Sequence, residues 1–521
     1  MPEKQYDVVV IGAGLAGLSV AGLMAKREKK SVLVVEKEDY LGGRMLSFRG
    51  KGDKIVTHMG EELDAKGFRK VLASVYSWVH STTPNASTLL GKKLLDGYGW
   101  ECGGTVTFWG NKGRMACLLD HFGKHLDMTG SRGFLIIEAN GKEKYQIKRG
   151  APYGWMNEEQ NKTTKNMLRE MATADEKKMA EWEGMSLDQW MRERTQDRKV
   201  YEYIAAVASI HMVSGEPSNI AVRDFAGFMR AAARMGANLL TGGATGVMPN
   251  AGFGYVAVRL AEVVNENNGE IRLGTKVNQV LFKGNKVTGV EIVTPKGTQP
   301  IAAEQVVCTV PARDMFKVIP KKLFSEDFPK HVEKDFFSTG MLTAFYGLKT
   351  DILVDAGVEP QSWMLAPSII KSEEGFIGDV DVISTSKGNW DPSLAPVERG
   401  EHSLGFSIAL LDHEIRDKAK VQKVIRKTKE VFYNAFPTME ANQKFELWLC
   451  SDKGYGDWPP SNEPRPATTH PNLGGLFFAG DGYGSKVWGA GMDAAVHSAL
   501  FCAEEMTGHA YVNEILPDYH R

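Results

Sequence analysis

Cysteine is scarce and scattered: the 521 residues hold only five. Cys102, Cys117, Cys308, Cys450 and Cys502 stand far apart, without a CxxC pair or an adjacent histidine run. That pattern indicates neither a disulfide framework nor a zinc site, so no metal is expected, and it points to a reducing cytoplasm. Net charge is equally slight, 63 Lys and Arg against 64 Asp and Glu leaving −1. No long-range field therefore gathers nucleic acid or an anionic membrane. No apolar run approaches the roughly 20 residues that cross a bilayer, which leaves peripheral contact as the membrane role still open. Met1–Asp7 lacks the basic, apolar and small-residue pattern of a secretory signal. Neither repeats nor low-complexity tracts are visible. At 43% hydrophobic and 24% charged the chain has an ordinary globular balance, and its length suggests about three domain-sized units.

What is present begins at once. Asp7–Ile11 (DVVVI) is a short apolar run of the kind expected for a parallel strand buried on both faces. It leads into Gly12-Ala13-Gly14-Leu15-Ala16-Gly17 and a helical stretch with apolar Leu18, Ala21, Leu23 and Ala25. Gly12 allows a tight turn, Gly14 lets backbone amides approach a pyrophosphate, and Gly17 lets the helix lie close to the strand. The phosphates then sit on the positive end of the helix. A second strand, Ser31–Val35, delivers Glu36 nineteen positions after Gly17, where a carboxylate accepts hydrogen bonds from both ribose hydroxyls. A lone GxGxxG is a weak signal, but here strand, glycines, helix, second strand and acid occur in order, as one βαβ dinucleotide unit.

Lys37-Glu38-Asp39-Tyr40-Leu41-Gly42-Gly43-Arg44 follows directly. This resembles the FAD-binding fingerprint of the flavin-dependent amine oxidase and phytoene desaturase superfamily, in which the glycine pair and the arginine lie against the pyrophosphate and ribityl chain. The resemblance narrows the expected cofactor to FAD and extends to later stretches. Glu270–Pro311 reads as a β-meander around Lys283-Gly284-Asn285-Lys286. By resemblance, the backbone at Val277 meets the adenine end and Val306–Pro311 re-enters beneath the cofactor. Gly474–Asp481 is a strand ending in a small residue and an acid, and after a glycine-containing loop a helix opens near Met492. The resemblance places Gly480 and Asp481 near the ribityl or pyrophosphate region, and the amide of Met492, next to Gly491, against the flavin pyrimidine. It also brings His58-Met59-Gly60-Glu61-Glu62 past the ring, Gly60 giving it room and His58 facing it. The Pro249–Gly254 turn and the helix after it look like the entry to the same domain.

The fold class this implies is α/β: a Rossmann-like FAD-binding domain with parallel sheet and meander, plus a discontinuous α+β substrate domain. The expected boundaries are 1–95, 241–320 and 465–521 for the first, and 96–240 and 321–464 for the second. Residues 160–240 read as a polar helical insert with a capping-box candidate at Ser186 and Gln189. Runs at 341–349, 380–386 and 402–410 look like strands of one antiparallel sheet, and 413–436 like a surface helix. Asn389-Trp390-Asp391-Pro392-Ser393-Leu394-Ala395-Pro396 resembles an element of bacterial phytoene desaturases and carotenoid isomerases.

Flavin oxidation of a C–N or C–C bond needs a substrate carbon near the ring, a dry pocket and only sometimes a base. Amine oxidases of the superfamily place an aromatic-cage tyrosine just before the residue matching Met492, and here that position is Gly491. Trp488 or Tyr483 from the same loop are the substitutes. The stretch matching the covalent flavin attachment of some amine oxidases reads Ser451-Asp452-Lys453-Gly454-Tyr455, without cysteine, so non-covalent FAD is expected. Both departures favour a desaturase or dehydrogenase forming a C=C bond in an apolar or cyclic small molecule. An amine oxidase, a flavin-dependent isomerase and a flavoprotein that only binds its ligand stay as alternatives. Candidate bases are His58, Tyr346, Tyr483 and Lys486; Trp100, Trp109, Trp155 and Trp363 are pocket or core residues. Oxygen, a quinone or a carrier protein is the electron acceptor.

Overall fold

The computed structural model describes residues 5–516 and 519, apart from 76, 103–106, 131–132, 139–140, 148–154, 213, 215, 237–245, 250–251, 296, 359–361, 367–382 and 387–393. The elements that build the site are, in chain order, β1 (Tyr6–Ile11), α1 (Leu15–Gly22), β2 (Val32–Val35), α2 (Arg198–Met212), α3 (Gly254–Glu266) and β3 (Gly269–Arg272). After them come β4 (Val277–Lys283), β5 (Lys286–Thr294), β6 (Gly297–Cys308), β7 (Phe337–Leu348) and β8 (His402–Leu411). The last are α4 (Lys418–Ala435), β9 (Gln443–Ser451), β10 (Leu476–Phe478) and α5 (Gly491–Thr507).

Val8, Val9 and Val10 of β1 and Val32, Leu33 and Val34 of β2 are fully buried, because helices and meander cover both faces of the sheet they form. Its parallel core runs β3-β2-β1-β6-β10, and β4 and β5 extend it as an antiparallel meander on β6. The run expected as one meander thus divides: β3 joins the parallel sheet beside β2, and only β4–β6 form the meander. β1 lies between β2 and β6, so the crevice at its C-terminal end is a switch point where α/β sheets bind ligands.

A second sheet centres on β7, antiparallel to both β8 and β9. Side chains alternate along it. Leu342, Ala344 and Tyr346 pack into a core with Val421, Val424 and Phe432 of α4, while Met341 lies on the opposite face and lines the site cavity. Ile383–Ser386 pairs with β8 as the third expected strand. Positions 380–382, Asn250, Ala251 and the Asn389–Ser393 part of the proline loop lie outside the described residues. The described residues of the insert are mostly helical, and Ser186 accepts from the Gln189 amide at 3.2 Å. The chain also crosses between layers: Trp78–Thr83 pairs with β9, and Gly99–Cys102 pairs with Leu46–Lys51. Arg313, just after β6, holds Asp457 through Nε and Asp412 through Nη1, both at 2.7 Å, tying the first sheet to the end of β8.

Candidate functional site

Each glycine of the first turn has a separate steric reason. Gly12 has φ +108°, and a Cβ there would lie 2.4 Å from Thr309 Oγ1, whose hydroxyl donates to the Ile11 carbonyl. A Cβ on Gly17 would sit 2.1 Å from the Gly12 carbonyl oxygen and 3.3 Å from Val10, so only glycine lets α1 lie this close to β1. At Gly14 a Cβ would meet nothing within 4 Å, because this residue borders open space. That space is a cavity of about 720 Å³ reached by Gly12, Gly14, Leu15 and Ala16. No side chain caps the N-terminus of α1 among the described residues, and its first residues line the cavity, the arrangement an anion site requires.

Glu36 lies on the same wall, 7% exposed. Its two carboxylate oxygens accept from the Ala13 amide at 2.8 Å and the Glu38 amide at 2.9 Å. Burial raises its pKa, and those two amides oppose the rise. Val277 comes to this wall because the Gly274 and Thr275 amides donate to the Glu38 and Glu36 carbonyls at 2.8 and 2.7 Å. Lys37 is also on the wall and pairs with Glu38. Gly42 and Gly43 line it too, the Gly42 amide donating to the Ala13 carbonyl at 2.9 Å.

Further along, Arg44 Nη2 meets Asp481 Oδ1 at 3.4 Å, and Asp481 Oδ2 accepts from the Gly456 amide at 2.9 Å. Arg44 Nη1 is buried with no hydrogen-bond partner among the described residues. A cation held on one side by a carboxylate and open on the other suits an anionic ligand. Gly480, Gly491 and Met492 complete the wall. The N-terminus of α5 begins at Gly491, with no side-chain cap among the described residues, and brings a second positive helix end to the cavity wall. Two uncapped helix ends, a half-paired arginine and a buried ribose-type acid fit a dinucleotide.

The expected catalytic residues fare differently. Tyr483 is on the wall but buried, stacked on Phe478, and its hydroxyl donates to the Val310 carbonyl at 2.7 Å. Burial lifts its pKa well above 10, so it is placed as scaffold. His58 is absent from the cavity wall: it is buried under the Gly254 end of α3, with Nε2 3.1 Å from the Leu41 carbonyl. Burial draws its pKa down to about 4. Gly60 sits on an exposed turn with φ +84°, likewise away from the wall. Trp488 lies behind α5, its ring 3.7 Å from the Arg114 guanidinium and stacked on Tyr519. Tyr346 is buried in the α4 core and Lys486 is exposed. Trp100, Trp109 and Trp155 are buried and do not reach the cavity wall. The Trp363 side chain lies outside the described ones.

The structure adds Ser209 and His211 from α2, Met341 from β7, Ser407 and Ala409 from β8, and Tyr455 to the cavity wall. His211 Nδ1 lies 2.5 Å from the Val207 carbonyl and burial draws its pKa to about 4, so the ring is neutral with the proton on Nδ1. No local spacing marks these residues, because the fold gathers them from separate elements.

Comparison with known proteins agrees with this geometry. The family model for flavin containing amine oxidoreductase matches residues 15–341. The chain is 49% identical over 51 residues to horse (Equus caballus) flavin-containing amine oxidase A, about 10% of each chain. It is 48% identical over 50 residues to 15-cis-phytoene desaturase of Narcissus pseudonarcissus, 10% of this chain and 9% of that one. Those matches span about a tenth of the length of either curated relative. Among solved structures, an oxidoreductase from Methanosarcina mazei superposes with TM-score 0.66 at 16% identity, covering 95% of this chain and 99% of that one. A triple mutant of putrescine oxidase gives 0.62 at 14%, covering 97% and 99%, and cyclohexylamine oxidase from Brevibacterium oxydans 0.59 at 15%, covering 97% and 100%. The fold is that of two-domain flavoprotein oxidases and the cofactor is FAD. The chain belongs to the flavin containing amine oxidoreductase family and is a flavin oxidoreductase.

Proposed function

We propose that this enzyme is an FAD-dependent desaturase or dehydrogenase, which removes a hydride and a proton from adjacent carbons of an apolar or cyclic small molecule and leaves a C=C bond. The observation that carries the reading is Gly491. It sits on the cavity wall with φ +58° at the start of α5, a backbone shape that disfavours an aromatic side chain, so this wall lacks the cage tyrosine of amine oxidases. Bound FAD supplies the two-electron acceptor.

The protein's part is placement. In this reading Gly12, Gly14, Leu15, Ala16 and the α1 amides hold the pyrophosphate, with Gly17 keeping helix and strand close. Glu36 holds the ribose with Lys37 beside it, and the Val277 backbone meets the adenine. Gly42, Gly43, Arg44, Gly480 and Asp481 line the ribityl and pyrophosphate stretch, and Gly491 and Met492 face the flavin. Met341 and Ala409 from β7 and β8 keep the reacting carbons dry. His211, with Nδ1 donating to the Val207 carbonyl, lines the same cavity. Tyr483 cannot serve as the base while its hydroxyl is held by Val310.

Amine oxidation is the second reading, favoured by Tyr455, an aromatic residue on the same wall. An anaerobic titration of the holoenzyme decides between them. Bleaching of the oxidised flavin band by cyclic ketones or polyenes free of nitrogen supports the desaturase; bleaching by amines alone overturns it. Consumption of an electron acceptor, whether oxygen, quinone or carrier, separates net oxidation from isomerisation. Among the described residues no helix is long and apolar enough to cross a membrane.

A further inference from the structure

The cavity wall divides by origin. One part comes from the βαβ unit, the meander and the α5 turn; the other comes from α2 and the β7–β8 sheet. Buried hydroxyls mark this second part. Ser209 is 2% exposed and Ser407 is 7% exposed, both line the cavity, and neither hydroxyl has a hydrogen-bond partner among the described residues. Thr343, fully buried and also without a partner, is paired with Ser407 across the β7–β8 register. It stands two residues from Met341, and so on the same sheet face. A buried hydroxyl without a partner is costly to the fold, and unpaired polar groups of this kind concentrate where a ligand completes them.

Charge on the wall tells what that ligand lacks. Asp457 is held by Arg313, Asp314 by Lys317 and Lys453, Asp481 by Arg44 and Gly456, and Asp493 accepts from Thr107. Glu36 is engaged by its two amides, far along at the ribose end. An ammonium entering between α2 and the β7–β8 sheet would meet hydroxyls and a neutral imidazole in place of an uncommitted carboxylate. A substrate carboxylate would likewise meet no uncommitted cation from these elements.

We propose that Ser209 and Ser407 anchor the substrate through a neutral oxygen function, a carbonyl or hydroxyl on an otherwise apolar skeleton. The inference rests on the dehydrogenase reading for its placement of FAD and names the substrate class of that site. Hydroxyl donors orient such an oxygen, and Met341 and Ala409 shed water from the carbons around it.

The test is a titration of the holoenzyme, reading the shift of the bound flavin band, with cyclic ketones of one to three rings and their matched amines and hydrocarbons. Ketones are expected to bind tightest, and Ser209→Ala or Ser407→Ala to weaken them about 3- to 10-fold, the worth of one neutral hydrogen bond. Ser407→Thr, which keeps the hydroxyl, restores binding. Without ligand, the alanine variants should keep the parent Tm or gain about 1 °C, because they delete an unpaired buried group; a merely structural hydroxyl would lower it. Ketone binding unchanged in both alanine variants, matched amines binding as tightly, or no ketone binding at all overturns the proposal. Serine-dependent ketone binding with no bleaching by any ketone or polyene upholds the anchor and removes the desaturase; bleaching by ketones without serine dependence does the reverse.

Discussion

Glu36→Gln is the most direct perturbation of the proposed cofactor cradle. Each carboxylate oxygen accepts one backbone amide, from Ala13 at 2.8 Å and Glu38 at 2.9 Å, and keeps a lone pair for a ribose hydroxyl. Glutamine turns one acceptor into an NH2 group facing an amide donor. The lost charge-assisted bond is worth about 1.5–3 kcal/mol, and the stranded amide about 1–3 kcal/mol more. Glutamine also escapes the burial cost that raises the Glu36 pKa above 4.5, which offsets part of the loss. The net expectation is about 1–3 kcal/mol of stability and FAD affinity weakened roughly 10- to 100-fold. Quenching of FAD fluorescence on titration into apoprotein measures the affinity, and thermal melts with and without FAD measure the stability. The sign with pH is fixed by the raised pKa. The native chain binds the Glu36 proton more tightly than the unfolded chain, so ionising it costs stability. That cost is fully present above the folded pKa and vanishes as pH falls through it toward 4.5, the ordinary value; the glutamine variant lacks the window. Parent-like FAD affinity in Glu36→Gln would refute the ribose assignment.

Three further outcomes follow from the same geometry. Gly17→Ala drives a Cβ to 2.1 Å from the Gly12 carbonyl, an overpacking cost at the upper end of roughly 1–3 kcal/mol, seen as a lower urea midpoint and weaker FAD retention. Tyr483→Phe removes the bond to the Val310 carbonyl and a long contact to Met315 Sδ at 4.0 Å, so turnover should survive while stability falls by about 1 kcal/mol; loss of turnover with the fold intact would restore Tyr483 as a catalytic group. His58 and His211 are held to about 4 by burial, so the unfolded chain takes up their protons first. Their neutral burial therefore costs stability progressively as pH falls from 6.5 toward 4, up to about 3 kcal/mol each. An acid melt of His58→Gln should show a flatter slope in that window.

The amino-acid sequence alone determined the βαβ unit and the glycine turn that borders the cavity. Strand, glycines, helix and acid are neighbours along the chain, so local sterics and the position of Glu36 at the end of β2 specify one arrangement. Gly12, Gly14 and Gly17 each carry the reason their spacing implied: a strained turn, an open approach and a close packing. The place of Asp481 and Met492 on the cavity wall has the same cause, a strand, loop and helix start in one short stretch. Tertiary structure decided the rest. His58 and Trp488 come near the cofactor segments in sequence, yet the α3 end covers one and Arg114 with Tyr519 takes the other. Local pattern cannot foresee which side of a packed element a side chain meets. Ser209, His211, Met341, Ser407 and Tyr455 carry no spacing in common, because α2, β7, β8 and the segment after β9 meet only when both sheets are assembled. Chain connectivity thus sets the glycine turn and the Glu36 side of the cavity wall, and long-range packing sets which side chains form the rest of it.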